Sequence, residues 1–410
     1  MMMKQVTYQL LFASFLVCVT SVLCAIDAVF IKPVSQLCSE KLSVYKPDNL
    51  VDAYNNQPLS GYDTKFDCMR TAQALFNEWC TVIKWDKETH EVAVQLPHFL
   101  LDKDGTLVPA IFWTLDTNLL LFDDEQKKSD TSAFPDRVDY KDATSLRRCN
   151  TIILTKPLPE CSLDTYDNPS FSAGTRFVRV PENDNEFFFA VKIFDAEKHA
   201  IIEFYIPKDV AWPCDAFTND KERRAEFLSL VRKWVLQHDI VPYVWGGSSY
   251  MGRIVDKGFE KKDGSFGDQK ITYWARPNYN GQYGFDCSGL VARVAQICGI
   301  NYWFKTTQTA FAHGKEVADF DALQNGDLLV WAGHIVVVSD KDKGLLIESV
   351  GYGAGYGKLQ EIELKKRLNM DSYRDVFAKK KKQTELEVLY RSGLIAKKIS
   401  HFKVISLIGD

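Results

Sequence analysis

The hydrophobic pattern changes in the middle of the chain, from short strand-like segments to longer segments with helical spacing. Between residues 26 and 215, short runs of aromatic and β-branched residues alternate with polar turns, which predicts a β-rich region. One helix is predicted there, over Cys68 to Ile83, because apolar residues from Met69 to Trp79 recur at helical spacing. The predicted strands are 92–96, 110–113, 119–122, 175–180, 187–191 and 201–205.

Beyond residue 215 the pattern predicts helices packed on an antiparallel sheet. A capping sequence over 219–222 begins a helix that extends to about His238. A second helix covers roughly 287–298, with Asp286 as N-cap and Gly299 after its end, and its Arg293 and Gln296 are expected to face outward. Strands follow near 327–331, 334–339, 344–349 and 402–406. This arrangement predicts the α+β class.

Length and charge favour a two-domain protein with an export signal. A chain of 410 residues exceeds the usual size of one domain, and a net charge of −4 argues against a general nucleic-acid binder. Lys4 is the only charged residue before Asp27, and the segment between them is largely apolar. We therefore predict a signal peptide over 1–25, an accessory region over 26–215 and a second domain over 216–410. An uncleaved membrane anchor is the alternative. The predicted location is the periplasm, the cell wall or the extracellular space.

Six of the ten cysteines lie in the accessory region. An even set in an exported chain predicts up to three disulfides, and their connectivity stays open. These residues are Cys38, Cys68, Cys80, Cys149, Cys161 and Cys214.

The best candidate for chemistry is a cysteine in the first turn of the 287–298 helix. At that position unpaired backbone N–H groups and the helix dipole favour the thiolate of Cys287. His334 arrives on a later strand and is the candidate base. A buried structural cysteine is the alternative reading of Cys287.

Three motifs in sequence resemble the NlpC-type cell-wall endopeptidases, which are papain-like cysteine peptidases. They are PYVWGG over 242–247, DCSGLV over 286–291, and NGDLLVW with GHIVVV over 325–338. The resemblance implies a papain-like catalytic domain over 216–410. In the family, small SH3-like barrels often precede this domain, so the resemblance also implies an SH3-like accessory region.

The resemblance also implies the roles of particular residues. It makes Cys287 the nucleophile, His334 the base, and Tyr243 part of the oxyanion pocket. Thr307 falls in Lys305-Thr306-Thr307, where the family usually carries an Arg-x-Ser sequence. The implied substrate-binding residues are Asp286, Ser288, Thr307 and Trp245. No metal ion or organic cofactor is implied, and the expected partner is peptidoglycan or a peptide, with no nucleic acid or integral membrane partner.

The chain departs from the family pattern at two places. Residues 248–285 form an insertion between two motifs, and its glycine and aromatic content predicts a lid or specificity element. The third catalytic position falls on Glu348. A hairpin turning at Lys341 would set Glu348 opposite His334, within reach of imidazole Nδ1, and a one-residue slip would present Ser349 instead. An anionic partner there is expected to raise the pKa of His334.

We therefore predict an exported cysteine endopeptidase that cleaves peptidoglycan stem peptides. The resemblance implies the bond between γ-linked D-glutamate and the diamino acid. One alternative is an amidase, a peptidase for another polymer, or a thioester acyltransferase on the same scaffold. The other is a catalytically silent wall-binding protein.

Overall fold

The computed structural model describes residues 25–55, 57, 68–122, 131–148, 150–158, 171–196, 198–236, 241–251, 260–266, 269–275 and 283–409. Among the described helices, none combines the length and apolar character needed to cross a membrane. The helices are α1 Leu50–Asn55, α2 Ala143–Leu146, α3 Asp220–Leu236, α4 Cys287–Ile297, α5 Thr307–His313, α6 Leu364–Leu368 and α7 Tyr373–Lys382.

Two antiparallel sheets make up the accessory region, which confirms its β-rich character. The first holds β1 Ile26–Phe30, β2 Val34–Cys38, β3 Arg70–Leu75, β4 Trp79–Asp86, β5 Glu91–Lys103, β6 Thr106–Leu115 and β7 Leu119–Phe122, in the order β3-β2-β6-β5-β4-β1-β7. The second holds β8 Thr151–Leu154, β9 Arg176–Arg179, β10 Phe188–Asp195, β11 Ala200–Pro207 and β12 Ala211–Pro213, in the order β11-β10-β9-β8-β12.

The predicted helix over Cys68 to Ile83 is wrong, because these residues form β3 and β4. The chain reverses between them at Asn77, whose φ of 66° is left-handed, a conformation that asparagine tolerates better than most residues. The Asn77 N–H donates to the Phe30 carbonyl of β1 at 2.8 Å. Pairing with β1, β2 and β5 therefore overrides the local helical spacing.

The second half of the chain holds a sheet of five strands and several short pairs. Strands β13 Ser248–Ser249, β14 Glu260–Phe266, β15 Gln269–Ala275 and β16 Gly284–Phe285 form the pairs β13–β16 and β14–β15. They are followed by β17 Leu328–Trp331, β18 His334–Asp340, β19 Leu345–Val350, β20 Lys358–Glu363, β21 Leu386–Leu389, β22 Ile395–Ile399 and β23 Phe402–Ile405. The main sheet has the order β20-β19-β18-β17-β23, and β21 pairs with β22.

Helices cover both faces of this main sheet. Helix α4 packs Leu290 and Val294 against Ile335 and Val337 of β18 in one core. Helices α6 and α7 contribute to a second core with the alternate residues of the same strands, such as Val336. A helix packed on an antiparallel sheet is consistent with the papain-like fold that we predicted.

Arg293 and Gln296 of α4 were expected to face outward, and this prediction is wrong. Both are 1% exposed, because the accessory region covers that side of the helix. The Arg293 guanidinium contacts Glu78 at 2.6 Å, donates to the Ser248 carbonyl at 2.9 Å and donates to the Gln296 side chain at 3.0 Å. The nucleophile helix is therefore enclosed between the main sheet and the accessory sheets.

We predict that Arg293→Leu destabilises the protein by about 3–5 kcal/mol, because it leaves the Glu78 carboxylate buried without its cation. Burial raises the pKa of Glu78, but the charge of Arg293 dominates and holds it at about 2. The pair therefore contributes stability above the ordinary glutamate pKa, and the contribution is lost as pH falls towards 2. Denaturant unfolding measures the change. The matched control is Lys233→Leu, which breaks an exposed pair with Glu226 and should cost less than about 1 kcal/mol. Equal losses would contradict the prediction.

Of the up to three disulfides that we predicted, the full set of three is absent from this structure. Cys38, Cys80 and Cys214 carry buried free thiols, while Cys149 and Cys161 lie outside the described residues. The three thiols pack in the apolar interior, and burial raises the pKa of each. They therefore act as small core residues in this structure.

Candidate active site

Cys287 is the first residue of α4, and its neighbours fix the start of that helix. The Asp286 side chain caps the helix by accepting from the Gly289 N–H at 2.6 Å, and the Ser288 hydroxyl donates to the same carboxylate at 3.0 Å. The Gly247 carbonyl accepts from the Asp286 N–H at 3.0 Å. A Cβ at Gly289 would lie 2.0 Å from that carbonyl oxygen, so only glycine fits there. The predicted N-cap is confirmed.

The PYVWGG segment is tied by backbone bonds to the residues just before Cys287. The Val244 N–H donates to the Phe285 carbonyl and the Tyr243 N–H donates to the Gly357 carbonyl, both at 3.0 Å. Tyr243 is buried beside Gly351 and Tyr352, whereas the Trp245 side chain is 43% exposed. This segment therefore lies against the start of the nucleophile helix, with one aromatic ring inside and one outside.

His334 begins β18, and its imidazole is bound to Glu348 of β19. The distance from His334 Nε2 to Glu348 Oε2 is 2.7 Å, and both residues are buried. The predicted contact is present, but two details were wrong. Pairing of Val337 with Ile347 aligns position 334 with 350, so Glu348 approaches diagonally along the same face. The carboxylate also meets Nε2, whereas Nδ1 was predicted.

Two residues that the sequence analysis missed hold Glu348. The Arg367 Nε donates to its two oxygens at 2.8 and 3.1 Å, and Gln360 Nε2 donates at 3.0 Å. Burial raises the pKa of Glu348, but the charge of Arg367 and the hydrogen bonds hold it at about 2. Gln360 is directly opposite Glu348 in the β19–β20 register, so hairpin alignment could have found it. Arg367 lies in the sequence LKKRL, which is typical of an exposed basic helix.

Burial sets the protonation of the two central groups. Burial raises the pKa of Cys287, and the charge of Asp286 raises it further. Hydrogen bonds from the N–H groups of Ile335 and Ser288 lower that pKa, but by less. Burial lowers the pKa of His334, against the hydrogen bond of Glu348, which raises it. The expectation of a favoured thiolate is therefore wrong. Glu348 raises the pKa of His334 as predicted, but burial outweighs it and leaves that pKa below its ordinary value. These shifts favour a thiol and a neutral imidazole as the resting forms of the two groups.

The remaining predicted residues lie apart from this cluster. The Ser349 hydroxyl donates to the Phe285 carbonyl at 2.7 Å on the other face of β19, so Ser349 does not replace Glu348. Thr307 begins α5, and within the described residues no hydrogen bond joins it to Cys287 or His334.

In the insertion, β14 and β15 form a hairpin, while 252–259, 267–268 and 276–282 lie outside the described residues, so the lid prediction stays a prediction. Among the described residues, no group of three or more His, Cys, Asp and Glu side chains is placed to hold a metal ion.

The fold and site define a mixed α/β protein in which a helix supplies a cysteine and an antiparallel sheet supplies a histidine–glutamate pair. Residues 240–381 match the model of the NlpC/P60 family, which confirms the predicted resemblance. An NlpC/P60 family protein from Bacillus cereus has a similar fold, with a TM-score of 0.51 at 15% identity. The similarity covers 85% of this chain and 96% of that chain, so it includes accessory sheets as well. Among curated proteins, none matches this chain.

Proposed function

We propose that this protein is an exported cysteine endopeptidase that hydrolyses peptidoglycan stem peptides, at the bond between γ-linked D-glutamate and the diamino acid. The observation that carries the proposal is the buried His334–Glu348 pair, within the residues that match the NlpC/P60 family. His334 is next to Ile335, whose backbone N–H forms a hydrogen bond with Cys287. In this proposal residues 1–25 are the signal peptide. The accessory sheets are SH3-like modules that hold the wall polymer near the site.

The reaction begins from a neutral pair. As the Cys287 sulfur attacks the amide carbonyl, His334 Nδ1 takes the thiol proton, since Nε2 is already bound to Glu348. Glu348 stabilises the imidazolium that forms and holds the ring in one orientation. Arg367 and Gln360 hold the carboxylate in turn. His334 then gives the proton to the leaving amine, and water hydrolyses the thioester.

Charge on the tetrahedral oxygen is stabilised by the Cys287 N–H and the Tyr243 hydroxyl. The exposed ring of Trp245 provides an apolar surface for the peptide beside them. Asp286 and Ser288 hold the substrate backbone in this proposal, and their mutual hydrogen bond keeps both at the helix start. Thr307 contributes a more distant polar contact at the beginning of α5.

The test is mass spectrometry of the soluble products released from purified sacculi by the wild type and by Cys287→Ala. We expect the wild type to release dipeptides or tripeptides without sugars, and we expect the variant to release none. Release of whole stem peptides from the glycan would indicate an amidase. Transfer of a peptide to an added amine would indicate an acyltransferase. Binding to sacculi without any product would indicate a wall-binding protein, and each of these three results would contradict the proposal.

A further inference from the structure

The β21–β22 hairpin lies beyond the residues that match the family, yet it is joined to the candidate active site. Arg367, which holds Glu348, donates through its Nη1 to the Leu389 carbonyl of β21 at 2.5 Å. At the hairpin turn, the Arg391 N–H donates to the Ala354 carbonyl at 3.1 Å, next to the Tyr352 ring that packs against Tyr243. The hairpin is therefore fixed along one edge of the site.

Lys397 of β22 is the third link between the hairpin and the site. Its ammonium donates to the Ala332 carbonyl at 3.4 Å, two residues before His334 in the turn between β17 and β18. The side chain is exposed, and its cross-strand neighbour is the apolar Val388. Among the described residues, no carboxylate forms an ion pair with Lys397. The charge of this lysine is therefore not paired with an anion within the part of the chain that the structure describes.

This charge acts on both groups of the proposed reaction. Partial burial lowers the pKa of Lys397, and a negative charge on Cys287 raises it. Lys397 also lowers the pKa of His334, behind the larger effects of burial, Glu348 and Arg367. Lys397 is exposed, its charge interacts with that of Cys287, and it has no carboxylate partner among the described residues. Such a cation is suited to bind an anionic group of the substrate.

We propose that Lys397 forms an anion subsite beside Cys287 that binds a carboxylate of the substrate close to the scissile carbonyl. This inference rests on the proposed function for the identity of the substrate. A γ-linked glutamyl residue keeps its α-carboxylate free, a few bonds from the amide that is cleaved. Lys397 therefore favours γ-glutamyl peptides with a free α-carboxylate over those in which that group is an amide.

The first experiment measures the charge at Cys287 without any peptide. The alkylation rates of Cys287 by iodoacetate and by iodoacetamide are followed by mass spectrometry of the peptide that contains it. The ratio of the two rates cancels any change in thiol pKa, because both reagents need the same thiolate. We expect Lys397→Gln to lower the iodoacetate-to-iodoacetamide ratio about threefold, the size of effect for one charge several ångströms away in a partly solvated site. Lys397→Glu should lower it further.

The matched control is Lys398→Gln. Lys398 is the next residue of β22, points to the other face of the hairpin and lies opposite Glu387. Its removal changes the net charge equally and should leave the rate ratio unchanged. A ratio that is unaffected by Lys397→Gln, or lowered equally by Lys398→Gln, would overturn the proposed subsite.

The second experiment compares two peptides that differ only in the γ-linked glutamate, one with a free α-carboxylate and one with the α-carboxamide. Calorimetric binding is measured with Cys287→Ala and with the same variant carrying Lys397→Gln. We expect the lysine substitution to weaken binding of the acid about threefold or more and to leave the amide unchanged. Equal weakening of both peptides would overturn recognition of the carboxylate. If neither peptide binds while the alkylation ratio still falls, the stem-peptide substrate is wrong and the anion subsite stands.

Discussion

Cys287→Ser is expected to lower kcat for stem-peptide cleavage by about 10⁴-fold or more, because it removes the proposed nucleophile. An alcohol is far less acidic than a thiol, and the buried site already opposes the anionic form of residue 287. The oxygen is smaller than the sulfur and occupies the same helix position, so the fold should persist. Measured values of kcat, KM and the melting temperature separate loss of chemistry from loss of structure.

The matched control for this prediction is Cys298→Ala. Cys298 follows the last residue of the same helix and is also buried, but it packs in the core at the far end of that helix from Cys287. We expect a modest stability loss of about 1 kcal/mol and a nearly unchanged kcat. Equal losses of kcat in the two variants would show that Cys287 serves the core and not the reaction.

The parts of the site that could be predicted are those with a local signal. Asp286 as N-cap and Gly299 as the left-handed residue after the helix define α4 from a short stretch of sequence. The glycine-bounded apolar runs likewise define β17, β18 and β19. Successive side chains of a strand point to opposite faces of the sheet. The predicted alignment was wrong by two residues, and an error of two still places Glu348 on the same face as His334.

The parts that could not be predicted depend on what packs against each element. Arg293 has the spacing of an outward-facing residue, and only the presence of Glu78 from the accessory sheet makes it an interior one. Residues 68–83 have helical spacing, and only the neighbouring strands make them β3 and β4. The pKa of Cys287 is raised by burial under all the elements that pack around it, and this effect outweighs the dipole of α4.

Glu348→Ala is expected to lower kcat by about a hundredfold and to destabilise the fold by about 3–5 kcal/mol. Catalysis suffers because His334 loses the carboxylate that orients its ring and stabilises the imidazolium. Stability suffers because Arg367 is left buried with its charge unpaired. Kinetics well below the melting temperature, together with denaturant unfolding, measure the two effects separately.

Glu348→Gln separates charge from geometry, since the amide keeps a similar shape and one acceptor oxygen. The carboxylate raises the pKa of His334 against burial, so its loss should lower that pKa further and move the acidic limb of the pH–rate profile to lower pH. Only the neutral imidazole can accept the thiol proton, which fixes the sign of this shift. Unchanged kcat and pH profile in both Glu348 variants would show that Glu348 serves only to pair with Arg367.

The free energy of unfolding of the wild type should also depend on pH because of the Glu348 carboxylate. Glu348 has a folded pKa of about 2, well below its ordinary value of 4.5, because the Arg367 charge outweighs the effect of burial. Its contribution is therefore fully present above pH 4.5 and declines as pH falls towards 2. Acid titration of the unfolding free energy should show a shallower decline in Glu348→Gln than in the wild type. Part of the residual decline in that variant belongs to Glu78, whose carboxylate is held at a similar pKa by Arg293, so adding Arg293→Leu should flatten the profile further.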